Sequence, residues 1–227
     1  MYDIATKRLH AVENEVFEKT HGSCYVPINS THFVQIGGYN STDVLKSVYL
    51  FKICILQATK FYMNVEIKYI RDVSLLHDEL PNLKIPRKFH GCGKAIINGK
   101  LSVIVSGGIG ISNKTLKSVE YLSLPEQITE WKELPALNLA RSGFPSLGFI
   151  GEELFIVSGQ CTESNHCLQA EKFDKLHKSW KYDKSVKLKN MRYCHSTFEV
   201  TREICNEQDP QYKLESHNMA EIAPICV

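Results

Sequence analysis

Two consecutive stretches of this chain spell nearly the same pattern. From 86 the sequence reads PRKFHGCGKAIINGKLSVIVSGGIGISNKTLKSVEYLSLPEQITEWKELP, and from 140 it reads ARSGFPSLGFIGEELFIVSGQCTESNHCLQAEKFDKLHKSWKYD. Arg87 aligns with Arg141, Gly107-Gly108 with Ser158-Gly159, Val119-Glu120 with Ala170-Glu171 and Trp131 with Trp180, at offsets of 54, 51, 51 and 49. A weaker copy, THGSCYVPINSTHFVQIGGYNSTDVLKSVYLF, lies upstream. It sets His21 against His90 and Gly37-Gly38 against Gly107-Gly108, with offsets of 69 to 71, so that unit carries roughly twenty extra residues. A further copy opens at Met191 to His195 and then loses the pattern. A repeat constrains the fold more than any single motif, because each unit buries its apolar faces only by stacking on its neighbours.

Within one unit the pattern is a series of short strands. HGCGKAII and LSVIVSGG are apolar runs separated by Asn98-Gly99, a strong two-residue hairpin signal. LKSVEYLSL alternates, placing Leu116, Ser118, Glu120 and Leu122 on one face and Lys117, Val119 and Tyr121 on the other. EWKEL supplies a brief fourth strand. Four strands in each ~50-residue repeat is the signature of a propeller blade. The continuous apolar runs place the first two strands near the propeller axis, packed on both faces. The alternation places the outer strands at a wetter edge. The paired glycines allow close approach of neighbouring chain, and Trp131 and Trp180 fill the wedges between blades.

The order arginine, apolar strand, double glycine, Val-Glu-x-Tyr and tryptophan resembles the kelch repeat. It is full in 85–134, nearly full in 139–187 and weaker in 20–80, together about three quarters of the chain. The resemblance implies an all-β, kelch-type β-propeller. One domain over 1–227 is expected, with blade units at 20–80, 85–134 and 139–187 and partial blades at 1–19 and 190–227. At ~50 residues per blade, 227 residues accommodate about four, where complete kelch propellers more often hold six or seven. An incomplete or degenerate propeller is therefore expected, with Tyr2 to Leu9 as the end of one blade and the segment after His195 as the start of another. The same resemblance implies a protein-binding module and no enzyme. Its named alternatives are actin binding, substrate recognition for a cullin-type ubiquitin ligase and, more remotely, a copper-containing oxidase.

Arg87, Arg141 and Arg192 fall in or beside the loop that leads into the innermost strand of such a blade. Three guanidiniums on one rim suit bidentate recognition of carboxylates on a protein partner, and they are the expected partner-binding residues. Pairing with an acidic residue of the neighbouring blade is the equally weighted structural alternative. His21, His90 and His195 recur nearby, but Phe144 breaks the set, so they read as strand-start residues satisfying backbone groups rather than as metal ligands. QCTESNHC, 160–167, matches no zinc spacing and reads as a loop. Gly107-Gly108-Ile109-Gly110 lacks the third glycine and the following helix of a dinucleotide site, and reads as structural. No Ser-His-Asp, paired-carboxylate or H-E-x-x-H pattern occurs. No metal, cofactor or small-molecule ligand is expected.

Charge and cysteine usage bound the rest. Lys+Arg 27 against Asp+Glu 25 leaves +2 overall, which points to no polyanion partner. Residues 172–192 are locally basic, with eight basic side chains against two acidic ones, interleaved with Phe173, Leu176, Trp180, Tyr182, Val186 and Leu188. That spacing suits an outer strand with apolar side chains packed inward and lysines in water, so no nucleic-acid binding is expected. The N-terminal stretch is too interrupted by charge to read as a signal peptide, and no apolar run is long enough to span a membrane. The eight cysteines form no C-x-x-C pair and read as reduced thiols, placing the protein in the cytoplasm with the nucleus as alternative. Without an export signal, the N-x-[ST] matches at Asn29, Asn40 and Asn113 read as chance.

Overall fold

The computed structural model describes residues 2–3, 8–9, 20–62, 65–124, 130–150, 153–161 and 168–187, with the backbone alone for 2–3, 8–9, 55–62, 65–74, 149–150 and 187. The described chain is all-β. Strands β1 (Tyr2–Asp3) and β2 (Arg8–Leu9) pair with each other. Three four-stranded antiparallel sheets follow, each a meander in which chain neighbours are sheet neighbours. The first is β3 (Cys24–Pro27), β4 (His32–Ile36), β5 (Val48–Tyr62) and β6 (Val65–Leu80). In the second are β7 (Gly91–Ile97), β8 (Lys100–Ser106), β9 (Val119–Ser123) and β10 (Lys132–Leu134). A short pair, β11 (Arg141–Ser142) with β14 (Gln160–Cys161), flanks the third sheet, which is β12 (Ser146–Ile150), β13 (Glu153–Val157), β15 (Gln169–Asp174) and β16 (Ser179–Lys187). The three sheets coincide with the three repeat units of the sequence.

Local chemistry accounts for these elements. Asn98 and Gly99 sit at φ of 52° and 74°, the left-handed pair that a two-residue hairpin between twisted strands requires. The extra residues of the first unit do not form a loop. They lengthen its outer hairpin, in which β5 and β6 stay paired from Val48↔Leu80 to Tyr62↔Val65 while β4 covers only Val48 to Lys52. Beyond Lys52 the hairpin runs on as a two-stranded ribbon.

Two apolar cores lie between the sheets. Val26, Val34, Ile36 and Val48 of the first sheet meet Val103, Val105 and Leu122 of the second, with Trp131 just ahead of β10. On the second sheet's other face, Ala95, Ile104, Val119 and Tyr121 meet Leu147, Leu154, Ile156 and Trp180 of the third. The face assignment read from LKSVEYLSL holds for Val119 to Leu122, but β9 is buried on both sides rather than wet on one. A middle layer has no solvent face, and β9 alternates between two interiors. Strand β7, expected to be covered on both faces, is instead mixed, with Gly91 and Ala95 buried and Lys94 and Ile96 exposed.

The reduced-thiol expectation is also corrected. Cys24 and Cys92 are joined in a disulfide, with Cα atoms 6.1 Å apart, and it links the first strands of two adjacent sheets. Cys161 is disulfide-bonded as well, and Cys54 is the free cysteine among the described residues. No described helix is long and apolar enough to cross a membrane.

Candidate functional site

Arg87 and Arg141 are fully buried, so neither presents its guanidinium to a partner; Arg192 lies outside the described residues. Arg87 donates to Glu120 Oε1 at 2.5 Å, to the Gly107 carbonyl at 2.8 Å and to the Ser118 carbonyl at 3.1 Å and hydroxyl at 2.9 Å. Arg141 repeats the arrangement one unit later, bonding Glu171 at 3.1 Å and the carbonyls of Ser158 and Gln169 at 2.9 Å. The acidic partner belongs to the arginine's own unit, not to the neighbouring one.

Each glutamate does more than balance charge. Glu120 accepts the backbone N–H groups of Lys84 and Ile85, and Glu171 those of Asn138 and Leu139. It thereby fastens the linker that leads into its unit. Each linker also ends a tryptophan's search for a partner: Trp131 donates to the Pro81 carbonyl at 2.7 Å and Trp180 to that of Pro135 at 2.8 Å. Burial pushes both guanidiniums below the usual arginine value, and the adjacent carboxylate pulls back up. A buried pair of this kind is costly to desolvate and holds only because the remaining donors and lone pairs are satisfied.

The double glycines serve these joints. Gly38 donates its N–H to the Arg87 carbonyl at 2.8 Å, and Gly108 donates to that of Arg141 at 2.7 Å. A Cβ at Gly107 would stand 2.2 Å from the Arg141 carbonyl oxygen, and one at Gly37 would stand 2.6 Å from that of Arg87. The structural reading of these glycines therefore stands on direct geometry.

The surface at this end of the sheets is aromatic. His21, Tyr39, Phe89 and Phe144 form a chain of ring contacts, with centroids 5.6, 5.6 and 5.7 Å apart, and the Lys88 ammonium lies 4.6 Å from the Tyr39 centroid. His21 is exposed and the others are half-buried. Backbone bonds run beneath the rings, from Phe89 N–H to the Gly22 carbonyl and from Phe144 N–H to the Phe89 carbonyl. Phe89 and Phe144 hold φ of 54° and 56°, a region that bulky side chains rarely adopt, while Gly22 holds 64° at the matching place of the first unit. Sequence reasoning missed this ridge because its residue types differ from unit to unit. A signal lay in the shared position just ahead of each first strand.

The histidines do not converge. Lys88 and His21 each bridge to the residue after a double glycine, so His21 matches Lys88, and His90 matches Ser23. His90 is fully buried, neither ring nitrogen has a hydrogen-bond partner, and burial followed by the nearby Arg87 charge pushes its pKa down to about 3. His195 and most of 160–167 lie outside the described residues, among which no cluster of metal-ligating side chains occurs. In the basic stretch, Lys172 pairs with Glu153 and Asp183, and Lys181 and His177 pair with Asp174. Trp180 packs inward as expected, but Leu176 and Tyr182 are exposed.

No protein-family model and no curated protein sequence matches the chain. Among solved structures it is similar to one described as the structure of YjhT, with 13% sequence identity and a TM-score of 0.53. The match covers 80% of this chain and 50% of that one, so this chain spans about half the length of that structure. At this identity the likeness is one of fold.

Proposed function

We propose that this chain is a protein-interaction module built of kelch-type propeller blades, and that it binds its partner through the ridge His21, Tyr39, Lys88, Phe89 and Phe144. The observation that carries the reading is the backbone of Phe89 and Phe144. Two bulky residues held in the left-handed region cost of order 1–3 kcal/mol each, and glycine would remove that cost, as Gly22 does in the first unit. Strain retained at a surface ridge fits a use for the rings themselves. Aromatic side chains beside a cation are what protein interfaces concentrate in their cores. The reading is one of binding rather than catalysis, and Arg87 and Arg141 support the scaffold from inside it.

Phe89→Gly and Phe144→Gly separate the two roles. The double variant is expected to keep its unfolding free energy within about 1 kcal/mol, because relieved strain offsets lost ring contacts, and to lose its partner in capture from the native source. Unchanged capture would remove the ridge from the reading. The Cys24–Cys92 disulfide supports an oxidising compartment as part of this reading, since such bonds do not persist against cytosolic thiols. That counts against the cytoplasmic and nuclear settings and against the ubiquitin-ligase and actin roles that belong there.

A further inference from the structure

Three N-x-[ST] triplets occur, and each lies in a turn. We infer that Asn29 and Asn40 are N-glycosylation acceptors. At both, the triplet is folded on itself. Asn29 Oδ1 accepts the backbone N–H groups of Thr31 and His32 at 2.9 Å and lies 3.1 Å from the Thr31 hydroxyl. Asn40 Oδ1 accepts those of Thr42 and Asp43 at 3.0 and 2.7 Å and lies 3.1 Å from the Thr42 hydroxyl. Asn29 is exposed, Asn40 is half-buried at a loop surface, and neither Nδ2 donates to a described residue. The same geometry arises twice, in turns that leave opposite ends of β4.

The arrangement fits the chemistry. An amide nitrogen is a poor nucleophile because its lone pair is delocalised into the carbonyl. Donors gathered on Oδ1 favour the form in which that oxygen carries negative charge, which makes an Nδ2 proton easier to lose. In the transfer, Nδ2 gives up one proton to a base and forms a bond to C1 of the sugar. The C1–O bond of a lipid-linked oligosaccharyl diphosphate breaks, and the lipid diphosphate leaves with the electron pair. Each turn closes within four residues, so it can form before the sheet around it. Asn113 is exposed at φ 58°, and no bond from the Thr115 hydroxyl to its side chain occurs among the described residues. Lower occupancy follows there.

The second observation is the disulfide between Cys24 and Cys92, which forms in the kind of compartment where this modification takes place. The inference rests on the oxidising compartment proposed above, and the experiment reads the two separately. Endogenous protein is alkylated without reduction, digested, treated with a peptide-N-glycosidase in heavy-oxygen water and mapped by mass spectrometry. Expected are heavy-labelled aspartate at 29 and 40, a smaller fraction at 113, and Cys24 and Cys92 recovered as one cross-linked peptide. Unlabelled asparagine at both 29 and 40 overturns the inference, and a cross-linked pair in that sample would leave the compartment standing. Alkylated Cys24 and Cys92 with unlabelled asparagines overturn both.

Discussion

The first repeat unit and the two that follow share strand order and double-glycine or serine-glycine turns, but their interiors differ. In the second and third units, a glutamate on the third strand holds an arginine and two linker N–H groups. Tyr49 stands at the matching place of the first unit, in LKSVYLF against LKSVEYL. Around it runs an aromatic stack, Phe33 on Phe51 at 5.0 Å and Phe51 on His77 at 5.7 Å, with Tyr49 edge-on to His77. Beside the stack lies a small pocket lined by Thr20, Gln35, Gly37, Ser47, Tyr49, Phe51 and His77. Gly37 and Ser47 match Gly107 and Ser118, whose carbonyls Arg87 fills in the second unit. The first unit has no such clamp among its described residues, and it carries instead the covalent tie to the second. One fold thus tolerates two ways of fixing a unit: a satisfied buried ion pair, or an aromatic layer with a cross-sheet disulfide.

Breaking the clamp should cost most. Glu120→Ala or Glu171→Ala leaves a buried arginine uncompensated and two N–H groups unpaired, and about 3–5 kcal/mol of unfolding free energy should be lost in chemical denaturation. Tyr49→Phe, at the matching place of the first unit, should cost less than about 1 kcal/mol. Cutting the covalent tie comes next. Cys24→Ser with Cys92→Ser opens a loop with a sequence separation of 68, and a loss of about 2–4 kcal/mol is expected. The same denaturation curve run in reductant should show at least that loss in the parent protein, since reduction also opens the Cys161 disulfide.

Acid should reach the second unit through His90. With the native pKa of His90 near 3 and the unfolded one near 6.5, the unfolded chain binds more protons between those values. Stability from this group is complete above about pH 6.5 and falls as pH drops toward 3, by about 2 kcal/mol at pH 5. His90→Ser, which installs the residue found at the matching place of the first unit, should flatten that part of the profile. The smallest effect belongs to the turn. Gly99 has open space where a Cβ would stand, so Gly99→Ala should cost only the backbone strain at φ 74°, about 1 kcal/mol by thermal unfolding.

Much of this fold is legible in the residues. The Asn98-Gly99 hairpin, the close approach at Gly107-Gly108 and the inward tryptophans follow from turn chemistry, sterics and size, which act locally. The extra residues of the first unit are countable, but their form as a longer β5–β6 hairpin depends on pairing across the turn. The arginines were legible as a repeated feature and not as a buried one. Burial depends on Glu120 and Glu171, and the constant spacing from Pro81 to Arg87 and from Pro135 to Arg141 was the available sign that a linker, not a rim, was being built. The disulfide was not legible, because Cys24 and Cys92 become neighbours only when sheets stack. The ridge was hidden for a related reason: its strain lies in backbone angles, which residue types do not state.

The central claim is that Arg87 and Arg141 are internal clamps, and chemical access to their guanidiniums tests it most directly. Native protein is treated with an arginine-selective dicarbonyl reagent, and labelling at each arginine is compared by peptide mapping with that of the chain unfolded in urea. Labelling of Arg87 and Arg141 in the native protein is expected to be at least tenfold slower than in the unfolded chain. Equal rates in the two states would contradict the account and return both arginines to the surface.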